Sequence, residues 1–191
     1  MAAAVAVLVS GGGTNLQALL DAAAAGAAFD AFALERARRA GVATTVVPRR
    51  AFADRAGFER ELAAVLAGSG ADWVALAGFM RVLGPELVVR WRDRMLNIHP
   101  SLLPAFRGLH THRRVLAAGL KITGCTVHVV RAELDDGPVV VQAAVPVLDD
   151  DDEATLAARV LAQEHRAYPL ALELLASGQA VVDGELVRLT A

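Results

Sequence analysis

The chain has 191 residues and a mass of 20.0 kDa, carries a formal net charge of −2 at pH 7, and contains a single cysteine, Cys125. This length predicts one domain that is long enough to bury its own core. The small net charge and the scattered basic residues argue against a nucleic-acid partner. One cysteine excludes an internal disulfide and suits a reducing cytoplasm, and the apolar opening segment is too short to span a membrane.

The chain begins with a predicted strand at residues 3–9, whose nearly continuous apolar run is typical of a parallel strand buried on both faces. A glycine turn over residues 10–15 then leads into a helix. Free N–H groups of such a turn and the positive end of the helix dipole face one point, which suits a phosphate. A dinucleotide-binding motif is excluded because Leu16 stands where its last glycine would be, and the Gly-Lys-Ser/Thr ending of a P-loop is absent.

Residues 16–40 break the expected pattern. Two helix-like segments, 15–25 and 32–40, are joined by a short linker without an apolar strand pattern, although an α/β fold should place a strand here. We therefore predict that a strand and its turn are missing from the sequence rather than deleted from the protein. The structure should then show a spatial break between Gly26 and Phe32.

Alternating strands and helices resume after residue 41. The hydrophobic spacing predicts strands at residues 42–47 and 73–76 and an amphipathic helix at 54–67. Later segments predict a short helix at 111–119, an antiparallel strand pair at 125–130 and 139–145, a long helix from an acidic start at 149–153 to residue 176, and a closing hairpin at 180–189. This order predicts an α/β fold with an open, mostly parallel twisted sheet, helices on both faces and an antiparallel carboxy-terminal portion.

The central segment, residues 95–112, reads MLNIHPSLLPAFRGLHTH. It starts as a short strand at Met95-Leu96, and its two prolines forbid a regular continuation. Polar groups at the carboxyl end of a strand lie where open α/β sheets bind ligands. Asn97 and His99 are two residues apart and point to one side of an extended backbone, so an amide could hold an oxyanion while the imidazole handles protons. A turn-forming asparagine and a structural histidine are the alternative interpretation.

Residues 97–104, Asn-Ile-His-Pro-Ser-Leu-Leu-Pro, resemble nearly residue for residue the active-site motif of the folate-dependent formyltransferases. Residues 108–112, Gly-Leu-His-Thr-His, are similar to its continuation in the glycinamide ribonucleotide transformylase family. The acidic loop at 133–138 resembles that family's Glu-Leu-Asp-x-Gly-Pro loop. This resemblance implies that Asn97, His99 and Asp135 are catalytic, whereas composition alone would favour a solvated turn for the acidic loop.

The same resemblance implies which residues bind the substrates. The nucleotide would be held by Glu164 and by the glycine turn and first helical residues, Gly13, Thr14, Asn15, Leu16 and Gln17. The folate would contact Asn97 and a further set, Arg55, Met80, Arg81, Val82 and Leu83; by themselves, residues 79–83 are as typical of core packing, and Arg55 of a solvated helix arginine. His110 and His128 are candidates either for supporting the catalytic side chains or for structural roles.

The implied reaction transfers a formyl group from the co-substrate 10-formyltetrahydrofolate to the amine of phosphoribosylglycinamide in purine synthesis. Asn97 and His99 would stabilise the oxyanion of a tetrahedral intermediate. Because a free imidazole is mostly neutral at pH 7, Asp135 is expected to favour the protonated form of His99. We expect the nucleotide phosphate at residues 1–96 and folate binding and catalysis at 97–191, in a cytoplasmic monomer or homodimer without metal, nucleic-acid or membrane partners.

Two alternatives stay open at this point. Methionyl-tRNA formyltransferase and formyltetrahydrofolate deformylase would share the catalytic set, but the first carries an additional carboxy-terminal RNA-binding domain and the second an additional amino-terminal regulatory domain, for which we expect no room here. From a different class, a noncatalytic module that binds a phosphate ligand would keep the glycine turn. The intact set Asn97, His99 and Asp135 argues against this module.

Overall fold

The computed structural model of the chain describes residues 3–9, 14–24, 29–32, 37 and 39–190. A short 3-10 helix lies at Arg49–Ala51. The strands are β1 (Ala3–Leu8), β2 (Phe29–Phe32), β3 (Trp73–Leu76), β4 (Met95–His99), β5 (Ile122–Val129), β6 (Val139–Pro146), β7 (Ala180–Asp183) and β8 (Leu186–Leu189), and the α-helices are α1 (Thr14–Ala24), α2 (Arg55–Gly68), α3 (Pro85–Arg90), α4 (Thr111–Ala117) and α5 (Glu153–Ala176).

The central sheet has six strands in the order β2-β1-β3-β4-β5-β6. The first four are parallel neighbours, whereas β5 runs antiparallel to β4, and β6 runs antiparallel to β5. The last two strands, β7 and β8, form a separate antiparallel hairpin. The predicted fold class is therefore confirmed, including its antiparallel carboxy-terminal portion.

Helices cover both faces of this sheet. Val5 and Val7 of β1 lie in one core with Leu19 of α1 and residues of α5, while Ala6 between them lies in a second core with Phe58 of α2. Successive residues of a strand point to opposite faces, so a strand buried on both faces has to be apolar throughout. This explains the unbroken apolar run at the start of the chain.

The helix boundaries follow from local capping. The carboxylate of Asp54 accepts a hydrogen bond from the backbone N–H of Gly57 at 2.7 Å and so begins α2. Asp152 and Thr155 form a reciprocal capping box at the start of α5, which accounts for the acidic run there. These contacts lie within one turn of each helix. The sequence predicted a cap in the acidic run at 149–153, whereas for α2 it predicted only the helix itself, over residues 54–67.

The prediction of a missing strand is wrong. β2 pairs in parallel with β1, with Phe29 opposite Ala3 and Phe32 opposite Ala6, and occupies one edge of the sheet. Phe32 therefore ends a strand and does not begin a helix. The four-residue sequence Phe-Asp-Ala-Phe is too short and mixed to give a strand signal, and its pairing with β1 decides its conformation. Residues 25–28, which include part of the predicted break, lie outside the described residues.

Two further boundaries differ from the prediction. Residues 42–47 form no strand: within the described ranges they pair with no part of the sheet, and Val46 is 62% exposed. Their β-branched residues favour a strand, but such a segment forms one only where a free strand edge lies beside it. In contrast, β4 continues to His99, so Asn97 and His99 lie within a strand rather than after it.

No helix in the described part of the chain combines the length and the apolar character that a membrane crossing would need.

Candidate active site

Asn97 and His99 lie on one face of β4. They alternate with Leu96 and Ile98, whose side chains belong to the core on the opposite face. The antiparallel partner β5 places His128 directly opposite Asn97 and Thr126 opposite His99. The predicted pairing of an amide and an imidazole on one side of an extended backbone is therefore seen, and a second imidazole joins them.

The imidazole of His99 lies between two oxygen acceptors. Its Nε2 atom is 2.9 Å from the carbonyl oxygen of Phe106, and its Nδ1 atom is 3.3 Å from Oδ2 of Asp135. Only an imidazolium carries an N–H at both ring nitrogens, so only the protonated ring presents a hydrogen toward each of these two oxygens. The geometry therefore complements the charged form of His99.

The proline-containing loop after β4 positions the Phe106 carbonyl. The hydroxyl of Thr126 donates to the carbonyl oxygen of Ser101 at 2.7 Å and accepts from the N–H of Leu103 at 3.0 Å. Gln142 on β6 donates to the carbonyl oxygen of Leu103 at 2.9 Å. Two strands thus hold a segment whose prolines remove backbone donors, and the loop cannot shift without breaking buried hydrogen bonds.

Asp135 reaches His99 from the loop between β5 and β6. It is a buried residue with a φ of 51°, and its Oδ2 also accepts from the N–H of Gly108 at 2.9 Å. At the base of the loop, the backbone N–H of Val129 donates to the carbonyl oxygen of Pro138 at 2.8 Å. A Cβ on Gly137 would lie 1.7 Å from the carbonyl oxygen of Val129, so glycine is required there.

The two ends of the loop at 131–138 therefore meet directly, through the hydrogen bond between Val129 and Pro138. At its tip, Asp136 forms an ion pair with Arg107. A non-glycine residue in the left-handed region is unfavourable unless its surroundings hold it there. These contacts hold Asp135 in that conformation and direct its carboxylate toward His99.

His128 connects the amide to the carboxylate. Its Nε2 atom lies 3.3 Å from Nδ2 of Asn97 and 3.7 Å from Oδ1 of Asp135, and its Nδ1 lies 3.2 Å from the carbonyl oxygen of Val129. Burial lowers the pKa of His128, an effect that the nearby charge of Asp135 opposes. The ring is therefore neutral: Nδ1–H donates to the backbone, and Nε2 accepts from Asn97. Of the two candidate supporting histidines, His110 instead lies exposed at the start of α4.

Asn15 and Glu164, both assigned to nucleotide binding, are in contact. Nδ2 of Asn15 donates to Oε2 of Glu164 at 2.7 Å, which joins α1 to α5. Burial raises the pKa of Glu164, although the bond from Asn15 and the charges of His165 and His99 act in the opposite direction. Oδ1 of Asn15 is buried and has no protein partner in the described structure. This pair therefore presents an acceptor and a carboxyl group to a ligand that carries N–H or O–H groups.

A cavity of about 310 Å³ lies between α1 and α5 and is lined by Thr14, Gln17, Ala18, Asp21 and His165. Nε2 of His165 is buried without a partner in the described structure. His165 was not among the residues predicted to bind the nucleotide, although it directly follows Glu164 on the same helix. Leu16 packs into the core, so only its backbone could contact a ligand there, and Gly13 lies outside the described residues.

Residues 80–83, four of those assigned to the folate, follow the carboxyl end of β3, next to β4. Met80 is 78% exposed and Val82 is also exposed, whereas Leu83 packs in the second core and has only its backbone to offer. The guanidinium of Arg81 lies 5.8 Å from the ring centroid of Phe58 on α2. Exposed apolar side chains above a fixed backbone form a surface on which a flat aromatic ring can pack.

Glu59 links α2 to this surface. Its Oε1 accepts from Nε of Arg55 at 2.5 Å and from the N–H of Gly84 at 2.9 Å. Arg55 is thus held at the side of the segment that contains Met80. Among the residues that the structure describes, no group of three or more His, Cys, Asp or Glu side chains is placed to hold a metal ion.

The sheet and this cluster define an open α/β protein with an amide, an imidazole and a carboxylate gathered beside its central strands. Residues 3–172 match the family model described as "Formyl transferase". The chain belongs to the formyl transferase family.

Three individual proteins show how far this similarity extends. The chain is 47% identical over 186 residues to phosphoribosylglycinamide formyltransferase of Escherichia coli (strain K12), a match that covers 92% of this chain and 88% of that protein. It is 45% identical to the trifunctional purine biosynthetic protein adenosine-3 of Drosophila melanogaster over 95% of this chain, but it spans only 14% of that protein's length. The crystal structure of glycinamide ribonucleotide transformylase 1 from Symbiobacterium toebii superposes with a TM-score of 0.94 at 46% identity, covering 99% of this chain and 94% of that one.

Proposed function

We propose that this chain is a phosphoribosylglycinamide formyltransferase, which transfers the formyl group of 10-formyltetrahydrofolate to the amine of phosphoribosylglycinamide in purine synthesis. The observation that carries the proposal is the placement of His99 between Asp135 and the Phe106 carbonyl, beside Asn97 on the same strand. Membership of the formyl transferase family and the similarity to enzymes of this name support it.

In the proposed reaction, the amine nitrogen attacks the formyl carbon directly, and the formyl oxygen becomes an oxyanion. Collapse of the tetrahedral intermediate breaks the bond to the folate nitrogen, which receives a proton overall in place of the one that the amine loses. Asn97 has a second amide hydrogen beyond the one directed at His128, and this hydrogen serves the oxyanion. His99 contributes when the Nε2–H bond to Phe106 is exchanged for one to the oxyanion.

Asp135 has two roles in this proposal. Its negative charge, 3.3 Å from Nδ1 of His99, stabilises the imidazolium that can donate to the oxyanion. As the only carboxylate assigned to the catalytic set, it also receives a proton from the attacking amine, directly or through water. Both roles need a charged carboxylate, and general acid–base groups of this kind typically contribute about a hundredfold to ten-thousandfold to turnover.

The nucleotide would bind along α1. Its phosphate fits the amino end of this helix and the adjoining cavity with His165, because helix N–H groups and the dipole favour an anion. The glycinamide end fits Asn15 and Glu164, where the unpartnered Oδ1 of Asn15 accepts an N–H. Because Glu164 belongs to α5, the nucleotide site would not be confined to residues 1–96, and only its phosphate is proposed to lie in that half of the chain.

The folate would pack on Met80 and Val82 and use the backbone of residues 80–83, with Arg55 at the side of the ring system. We further propose that the protein acts in the cytoplasm on these small molecules, as a monomer or homodimer and without metal, nucleic-acid or membrane partners. The net charge of −2 and the buried free cysteine support this part of the proposal.

An assay of formyl transfer from 10-formyltetrahydrofolate to phosphoribosylglycinamide tests the function, with donor hydrolysis measured in parallel without the nucleotide. We expect formylated nucleotide and free tetrahydrofolate in equal amounts and little hydrolysis. Hydrolysis that does not depend on the nucleotide would instead indicate a deformylase. The absence of both reactions would indicate a binding module.

A further inference from the structure

Arg131 is the first residue of the loop that carries Asp135, and its side chain is only 8% exposed. The guanidinium contacts three acceptors outside the loop. Its Nη2 lies 2.8 Å from Oδ1 of Asp93 and 3.1 Å from the carbonyl oxygen of Gly184, and its Nε lies 3.2 Å from both carboxylate oxygens of Glu185. The buried guanidinium of Arg131 therefore contacts two separate turns of the chain.

Those turns come from distant parts of the chain. Asp93 lies two residues before β4, the strand of Asn97 and His99, and has a φ of 63°. Gly184 and Glu185 form the turn of the β7–β8 hairpin, which is not part of the main sheet. The contacts of Arg131 consequently tie the start of the Asp135 loop both to the strand of His99 and to the terminal hairpin.

The stem of Arg131 also lies against the far end of its own loop. A Cβ on Gly137 would lie 3.1 Å from Cγ of Arg131, so the two ends of the loop are packed together. A shift of the Arg131 side chain would therefore move both ends relative to β4. Asp135 lies between them in a left-handed conformation that depends on its surroundings.

Exposed ion pairs contribute little to stability, and Glu185 is largely exposed. The arrangement at Arg131 differs because its guanidinium is buried, donates hydrogen bonds to Glu185 and to the carbonyl oxygen of Gly184, and lies 2.8 Å from Oδ1 of Asp93. A buried guanidinium that loses its partners is costly, so such a group has one strongly preferred position. The contacts of Arg131 are therefore suited to fixing the position of the Asp135 loop, whether or not they add to the free energy of unfolding.

We propose that Arg131 is a positioning residue for formyl transfer: through Asp93, Gly184 and Glu185 it holds the Asp135 loop at the distance that lets the carboxylate contact His99. The β7–β8 hairpin is then part of the support of the active site. This inference rests on the proposed function, because it assumes that the contact between Asp135 and His99 serves catalysis.

The test compares Arg131→Met with Arg188→Met in the full-length protein. Arg131→Met keeps most of the stem and removes the guanidinium, while Arg188→Met breaks the pair of Arg188 with Asp183, 2.6 Å apart in the same hairpin. A small displacement of a catalytic group can cost on the order of a hundredfold in rate. We expect kcat for formyl transfer to fall by about tenfold to a hundredfold in Arg131→Met only, with the KM of both substrates nearly unchanged.

Arg131→Lys provides the graded control. Lysine can pair with Asp93 but lacks the planar fork that contacts Glu185 and Gly184 together, so its kcat should lie between those of the parent and Arg131→Met. If Arg131→Met fails to fold, the double variant Asp93→Asn/Glu185→Gln tests the same contacts, because asparagine tolerates the positive φ at position 93. This double variant should also lose kcat and keep both KM values.

A kcat for Arg131→Met equal to that of Arg188→Met, or a loss confined to KM, would overturn the inference while the parent protein stays active. A lysine variant no better than the methionine variant would also count against it. A parent protein without transfer activity would overturn the proposed function itself, and the two failures are therefore distinguishable.

Discussion

Nδ1 of His99 lies 3.3 Å from Oδ2 of Asp135, and both side chains are 7% exposed. The two residues come from a central strand, β4, and from the loop that follows the next strand, β5. Their contact exists because β5 returns antiparallel to β4 and the loop folds back over its face. Charges that are this deeply buried are screened less by water and salt than exposed ones.

Asp135→Asn should abolish most turnover and leave both substrates bound. The amide keeps the size of the side chain but cannot hold His99 protonated or accept the proton of the amine. We expect kcat to fall by about a hundredfold to ten-thousandfold, with dissociation constants close to those of the parent in equilibrium binding measurements. Glu133→Gln, which changes an exposed carboxylate two positions earlier in the same loop, is the matched control and should retain activity. Near-normal turnover of Asp135→Asn would remove this loop from the active site.

His128 should be replaceable by a residue that accepts a hydrogen bond from Asn97. Glutamine can place an oxygen near the position of Nε2, whereas leucine leaves the amide of Asn97 unpartnered. We expect His128→Leu to lower kcat by about tenfold or more and His128→Gln to retain most of it. Steady-state kinetics of both variants test this expectation. Equal losses of kcat in the two variants would show that the ring of His128 has a different role.

Stability should depend on pH through the same residue. Burial lowers the pKa of His128, so the unfolded chain binds a proton below about pH 6.5 that the folded protein resists. The contribution of His128 to the free energy of unfolding is therefore complete above about pH 6.5. It is lost as the pH falls toward the lower pKa that this residue has in the folded protein. Urea unfolding at about pH 7.5 and pH 5.5 should show a larger loss of unfolding free energy in the parent than in His128→Gln. The same loss in both would contradict this assignment.

His165→Gln should weaken binding of the nucleotide alone. The buried, unpartnered Nε2 of His165 lines the cavity at the amino end of α1, and a hydrogen bond to a charged group contributes about 1.5–3 kcal/mol. We expect the KM for the nucleotide to rise by about tenfold or more and that for the folate to stay constant. Arg166→Gln, at the exposed next position, is the control. A parallel rise for both substrates would indicate a folding defect instead.

Cys125 should be inert in the folded protein. Burial, together with the negative charge of Glu164, raises the pKa of its thiol to about 12, so almost no thiolate forms near neutral pH. Incubation with a thiol-specific alkylating reagent at about pH 8 should leave the thiol unmodified and the activity intact, while denaturant should expose it. Rapid modification of the native protein with loss of activity would reveal a role for this cysteine that the proposed mechanism does not contain.

Much of the fold could be read from local patterns. The unbroken apolar run of β1, the one-sided apolar face of α2 and the capping residues at Asp54 and Asp152 each act within a few residues. The predictions that no strand would occur at β2 and that residues 42–47 would form one are both wrong, for the same reason. Whether a short segment becomes a strand depends on a free neighbouring strand edge, and β1 offers one to β2, whereas residues 42–47 pair with no strand in the described part of the chain.

The sequence by itself determined that Asn97 and His99 would share one side of an extended segment, because side chains two apart on a strand point the same way. It also identified Asp135 and Glu164, but only through resemblance to a family. Tertiary structure alone decided that His128 accepts from Asn97, that His165 lines the cavity and that Arg131 joins two distant turns. The contacts of these residues cross between strands, helices and turns far apart in the chain, and hydrophobic periodicity carries no information about which of those elements become neighbours.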